Sequence, residues 1–132
     1  MGTFRASAQS LVRFRSNVAG TSGGGLALFG AAATLSSLRL EFERNRAGAG
    51  NGGALFAIDS EVVLATHALM VGNVAASQGG AVFTHVQSST TALSVAVGAS
   101  LVVQNNSAGT NGGGAATFST RWTVDGTIRF SG

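Results

Sequence analysis

A chain of 132 residues, 45% of them hydrophobic, carries enough apolar material for one folded domain with its own core. The absence of Cys and Pro excludes thiol chemistry, thiolate metal sites, disulfide scaffolds and proline-rich linkers. Only 10% of residues are charged and all eight cations are Arg, so the net charge of +3 is spread too thinly for the dense basic face a nucleic-acid partner requires.

Taken in chain order, residues 1–11 read as a lead-in or partial coil. Arg5, Arg13, Arg15 and Arg39 precede the first acid in a Ser- and Ala-rich stretch, a composition that loosely matches an organelle transit peptide. Against that, the repeat described next already begins near Val12. Met1 to Ser10 has no apolar segment of the kind a secretory signal needs. The longest apolar stretch, Gly23 to Leu35, is Gly- and Ala-rich and shorter than the roughly 20 residues of a membrane-spanning helix.

Internal repetition dominates the rest. Val12-Arg-Phe14-Arg-Ser-Asn17-Val-Ala19 is followed by Leu40-Glu-Phe42-Glu-Arg-Asn45-Arg-Ala47, by Ala68-Leu-Met70-Val-Gly-Asn73-Val-Ala75 and by Leu101-Val-Val103-Gln-Asn-Asn106-Ser-Ala108. A fifth copy opens at Ile128-Arg-Phe130. The anchors Phe14, Phe42, Met70, Val103 and Phe130 lie 28, 28, 33 and 27 residues apart. Six or seven residues after each Asn comes a glycine pair with a small or apolar run: Gly24-Gly25-Leu26-Ala27, Gly52-Gly53-Ala54-Leu55, Gly79-Gly80-Ala81-Val82 and Gly113-Gly114-Ala115-Ala116.

Paired glycines, Thr and Val content and apolar runs of four to six residues disfavour helix. Around each anchor the alternation has period two, which predicts strands with one face buried. Each unit has room for three short strands, as in Leu40 to Arg44, Ala54 to Ile58 and Glu61 to Thr66, with Asn- and Gly-rich corners between them. One unit is then one coil of a parallel β-helix, with equivalent positions stacked about 4.8 Å apart. In that register Val12, Leu40, Ala68, Leu101 and Ile128 form one apolar column and the five anchors another. Arg13 falls beside Glu41 and Arg15 beside Glu43, while Asn17, Asn45, Asn73 and Asn106 form an amide ladder at a corner.

These motifs resemble the repeats of the chlamydial polymorphic outer-membrane proteins, and right-handed β-helix proteins more broadly. They stand here as Phe14-Arg-Ser-Asn17 and Phe42-Glu-Arg-Asn45, with Gly52-Gly-Ala-Leu55 and Gly79-Gly-Ala-Val82. The resemblance covers roughly residues 12–118. Met70 and Val103 depart from it by replacing Phe, as do Leu26 and Ala116 in the Gly-Gly-Ala-aliphatic slots. It implies a surface-exposed passenger of the kind exported through an autotransporter barrel and used in adhesion.

Chemistry-bearing residues are few. Gly48-Ala-Gly50-Asn-Gly-Gly53 has the spacing of a dinucleotide fingerprint, but no helix pattern follows, so a corner turn is expected. Asp59 and Glu61 are the one close acid pair outside the Arg-facing Glu41 and Glu43. Glycoside hydrolysis would need both to converge on one sugar, which they could do if extended. The Asp-Ser-Glu stretch is expected instead to mark a polar corner between strands, ahead of either catalysis or calcium binding. His67 and His85, 18 residues apart, fall in different columns with no third ligand. Trp122 is expected to pack or cap. The corner column Thr21, Ala49, Ser77 and Thr110 is partly hydroxylated but lacks a Thr-x-Thr ladder for ice binding. Asn105-Asn106-Ser107 forms a glycosylation acceptor if the chain is secreted from a eukaryote.

The expectation is therefore an all-β, right-handed parallel β-helix of about four to five coils over residues 12–132, forming part of a longer solenoid. Its function would be that of a structural or adhesive surface module without cofactor, metal or catalytic residues. Its partner would be a protein or glycan surface ligand, with end-to-end self-association through uncapped coils as a further contact. A carbohydrate-active β-helix enzyme, supported by fold analogy alone, is the alternative, with an ice-binding solenoid behind it.

Overall fold

In the computed structural model, which describes residues 3–6 and 9–132, every element is a strand and every strand pairing is parallel. Residues 1, 2, 7 and 8 of the lead-in lie outside the described residues. Its β1 (Thr3–Ala6) pairs with β5 (Ala32–Leu35) of the first full coil. That coil also contains β2 (Leu11–Arg15), β3 (Val18–Ala19) and β4 (Leu26–Phe29). The second coil holds β6 (Arg39–Glu43), β7 (Arg46–Ala47), β8 (Leu55–Ile58) and β9 (Glu61–Leu64). The third has β10 (His67–Val71), β11 (Val74–Ala75), β12 (Val82–His85) and β13 (Ala92–Val95). The fourth has β14 (Ser100–Gln104), β15 (Ser107–Ala108), β16 (Ala115–Phe118) and β17 (Arg121–Val124), and β18 (Thr127–Ser131) opens the next.

The result is a parallel β-solenoid of about four turns, as the repeat predicted. Four sheets run along it, ordered β2-β6-β10-β14-β18, β3-β7-β11-β15, β4-β8-β12-β16 and β1-β5-β9-β13-β17. Besides the three strands expected per coil, a two-residue strand follows each Asn, where the ladder holds the backbone extended for one more pairing.

The apolar columns stack as read from the sequence: Val12, Leu40, Ala68, Leu101 and Ile128 are register partners, and so are Phe14, Phe42, Met70, Val103 and Phe130. They fill the interior together with Leu35, Leu64 and Val95 from the fourth face and Leu55 and Val82 from the third. Phe14 and Phe42 stack with centroids 4.7 Å apart and planes 5° from parallel. Trp122 packs against this core and its Nε1–H donates to Thr84 Oγ1 at 3.3 Å, satisfying a fully buried hydroxyl.

The glycine register differs from the sequence reading in the outer coils. Leu26 pairs with Leu55 and Ala115 with Val82, so the equivalents of Gly52-Gly53 are Gly23-Gly24 and Gly112-Gly113 rather than Gly24-Gly25 and Gly113-Gly114. Three consecutive glycines in those two coils allow either frame, and only strand pairing decides between them. In the paired frame Leu26 occupies the aliphatic slot itself, Ala115 fills that slot in the fourth coil, and Ala116 lies one residue beyond it.

Both glycines of the pair are required, for separate reasons. Gly23, Gly52, Gly79 and Gly112 all have φ between 63° and 69°, and a Cβ at Gly52 or Gly79 would run into the carbonyl oxygen three residues ahead. The second glycine is not left-handed. There a Cβ on Gly53 would strike the Gly80 carbonyl of the next coil, so the stack itself forbids a side chain.

Candidate functional site

The Asn column is structural. Asn45 Oδ1 accepts from the Asn17 backbone N–H at 3.1 Å and from its Nδ2 at 2.9 Å, and the same pair of bonds recurs from Asn45 to Asn73 and from Asn73 to Asn106. Each Nδ2 also donates to an anchor carbonyl in the coil before, Asn45 to Phe14, Asn73 to Phe42 and Asn106 to Met70. Asn45 and Asn73 are fully buried, so these amides spend their polar groups on the fold.

The two acids Asp59 and Glu61 stand in different surroundings. Asp59 has φ 48° at a corner, and its carboxylate reaches across to the longer turn 86–91 that replaces a two-residue corner in the third coil. Oδ1 accepts from the backbone N–H of Gln87 at 2.8 Å, Ser88 at 3.0 Å and Ser89 at 3.0 Å, while Oδ2 accepts from the Ser88 hydroxyl at 2.7 Å. Ser88 and Ser89 N–H, then the Ser88 hydroxyl and Gln87 N–H, hold the carboxyl far below the usual carboxylate range. A carboxylate engaged by four donors is a clamp on a loop. Glu61 stands exposed on β9 without joining it.

His67 and His85 fall on different sheets. His67 Nδ1 lies 2.9 Å from Ser100 Oγ beside Leu38 and Leu69, yet among the described residues no carboxylate bonds the ring to orient it as a base. No group of three or more His, Asp or Glu able to hold a metal ion is found among the described residues. The dinucleotide-like glycines form the corner that leads into β8, with Gly48 and Gly52 N–H bonded to carbonyls of neighbouring coils. In the hydroxylated corner column the Thr110 side chain donates to the Ser77 carbonyl at 2.9 Å. Asn105 is exposed at φ 51° in the turn before Asn106.

Two outward faces carry side chains with something left to offer. On the anchor sheet Arg13 meets Glu41 at 2.6 Å and Arg15 meets Glu43 at 3.1 Å, as the register predicted. The structure adds Arg39 to Glu41 at 2.8 Å and Arg44 to Glu43, making a lattice of four Arg around two Glu. The hydrogen bond from Arg44 outweighs an opposing desolvation and, with the nearby Arg15, Arg44 and Arg13 charges, holds Glu43 below its ordinary value.

The other face, β4-β8-β12-β16, was not singled out by the sequence reading. Its outward positions are Ala27, Phe29, Phe56, Ile58, Phe83, His85, Ala116 and Phe118, none of them charged. Phe29 and Phe56 are 5.3 Å apart, Phe56 and Phe83 5.3 Å and near-parallel, and Phe83 and Phe118 5.7 Å, so ring contacts run unbroken over four coils. His85 meets Phe118 edge-on at 5.9 Å. Phe56 and Phe83 are covered by their neighbours, whereas Phe29 is 66% and Phe118 41% exposed. The available signal was a Phe directly after the aliphatic residue in Leu55-Phe56 and Val82-Phe83, with Phe29 and Phe118 three residues beyond their own aliphatic positions.

The fold and its stacked Phe, Asn and Gly columns define a repeat protein of the parallel β-solenoid class, in which side chains inside the coil build the stack and those outside are free to vary. Residues 39–58, the segment from the start of β6 to the end of β8, match the family model of the Chlamydia polymorphic membrane protein (Chlamydia_PMP) repeat. No curated protein and no solved structure matches the chain. Among the described residues no helix is long and apolar enough to cross a membrane.

Proposed function

We propose that this chain is a non-catalytic adhesive module displayed at a cell surface, and that the β4-β8-β12-β16 face makes the contact. The carrying observation is the uncharged aromatic ladder on the outside of a rigid stack. Two large rings, Phe29 and Phe118, stand partly in solvent there, resting on Phe56 and on Phe83. Exposed aromatics held by a scaffold bind protein and glycan surfaces through large contact area at little entropic cost. The match of residues 39–58, part of the second coil, to a polymorphic membrane protein repeat supports surface display. Engagement of Asp59 by the loop favours binding over hydrolysis.

The test is binding of the whole chain to immobilised matrix proteins and a glycan array, compared with Phe29→Ser and Phe118→Ser. Both rings are exposed, so the variants keep the fold, checked by circular dichroism. Each is expected to weaken binding at least tenfold. Undiminished binding in both variants overturns the assignment to this face. Polysaccharide cleavage by the parent chain that disappears in Asp59→Ala and Glu61→Ala overturns the non-catalytic reading itself.

A further inference from the structure

The largest insertion in the repeat is the turn 86–91, and it forms one wall of a groove of about 440 Å³ on the fourth face. Every other coil turns from the third to the fourth face through two residues, Gly30-Ala31, Asp59-Ser60 and Ser119-Thr120, with a left-handed backbone at the first. In the third coil six residues do the same work, and the extra length is fastened twice. Asp59 holds Gln87, Ser88 and Ser89 from one coil below. At its far end buried Thr91 donates to the His85 carbonyl at 2.6 Å and accepts from Ser60 N–H at 3.3 Å. The loop is a built wall.

On the groove's floor Glu61, Ala92 and Arg121 are register partners on β9, β13 and β17. Glu61 and Arg121 are exposed and, among the described residues, neither forms a salt bridge. The small Ala92 between them sets their backbones two strand spacings apart, about 9.6 Å. Val86 supplies an apolar side, and Ser89 and Ser119 supply hydroxyls at the rim. Two exposed opposite charges that form no ion pair among the described residues, flanking a notch with a rigid wall, suit a ligand carrying both charges.

We infer that this groove binds a short zwitterionic peptide lying along the solenoid axis, its ammonium on Glu61 and its carboxylate on Arg121. Two residues of extended chain span about 7 Å, a length that two long side chains rooted about 9.6 Å apart can bracket by leaning over its two ends. Arg presents its fork to a carboxylate in the bidentate manner. Nothing in this inference depends on the aromatic face.

The experiment is a titration of the ¹⁵N-labelled whole chain with glycylglycine, followed by amide shifts. Saturable shifts confined to residues 59–61, 87–92 and 119–121 are expected. The terminally blocked dipeptide and glucose serve as neutral probes. Glu61→Gln and Arg121→Gln should each weaken binding about fivefold, the scale of one exposed ion pair. The single reversals Glu61→Arg and Arg121→Glu should abolish it, and the double reversal should restore it with the ligand turned end for end. Equal binding of the blocked dipeptide, glucose binding that survives both charge removals, no saturable shift with glycylglycine, or failure of the double reversal to restore binding overturns the proposal.

Discussion

At the scale of single residues the decisive feature is how completely polar groups are used inside the coil. Asn73 is fully buried, and its side chain satisfies the Asn45 backbone N–H, the Asn45 amide, the Phe42 carbonyl and Asn106 Oδ1. Truncation leaves several of these groups buried without partners, each costing about 1 to 3 kcal/mol. Asn73→Ala should therefore lose about 3 kcal/mol or more in urea denaturation. Asn17→Ala, at the exposed end of the ladder, should lose much less.

Asp59 makes a prediction in pH. Its carboxyl is depressed in the folded chain, so its contribution is complete above the unfolded value of about 3.9 and vanishes as pH falls through the folded value, below the ordinary carboxylate range. Amide exchange at Gln87, Ser88 and Ser89, corrected for its intrinsic pH dependence, should stay protected at pH 4 and open only in stronger acid. In Asp59→Asn these three amides should be unprotected already at neutral pH, because the replacement loses the negative charge and one acceptor oxygen. Protection that is unchanged in Asp59→Asn would show that the clamp does not hold the loop.

At the scale of elements, the departures from the repeat motif explain one another. The residue after the glycine pair is Gly25, Ala54, Ala81 and Gly114 in successive coils. The anchor of the coil above each is Phe42, Met70, Val103 and Phe130. Gly therefore occurs where the next anchor is Phe, and Ala where it is Met or Val. A Cβ on Gly25 would lie 2.8 Å from Phe42 Cδ1, and one on Gly114 would lie 2.8 Å from Phe130 Cδ1. Met70 and Val103 are thus size compensation for a neighbouring methyl. Gly25→Ala should cost about 1 to 3 kcal/mol by overpacking. The double variant Gly25→Ala with Phe42→Met should recover part of that loss, read as a coupling energy in a double-mutant cycle. Strict additivity would refute the compensation.

At the scale of the whole molecule, stability should follow position in the stack. Each coil buries its neighbours, so Phe42, Leu40, Leu55, Leu64 and Met70 in the middle are fully buried, whereas Phe130 in the last strand is 51% exposed. Phe42→Ala is expected to cost about 3 to 5 kcal/mol, and Phe130→Ala considerably less. Hydrogen exchange should be slowest in β6, β8, β10 and β12 and fastest in β18. Uniform exchange along the axis would mean that the coils unfold as one cooperative block.

Coil length, apolar columns, the Asn ladder and two of the four ion pairs were legible from residue order, because parallel stacking at one repeat places like on like and any column can be checked for consistency. The glycine frame in the first and fourth coils was not, since a run of three glycines has no internal reference and the hydrogen-bonded register alone selects the pair. Nor was the small strand after each Asn, whose two residues carry no periodicity of their own. The aromatic ladder was half legible: Phe56 and Phe83 share one offset, while Phe29 and Phe118 reach the same surface from another. Only the tertiary structure could show that Asp59 is consumed by a loop 28 to 30 residues further on, and that Glu61 and Arg121 face one groove across three coils. Those contacts arise at the largest insertion, where the repeat loses its period and sequence spacing ceases to measure distance in space.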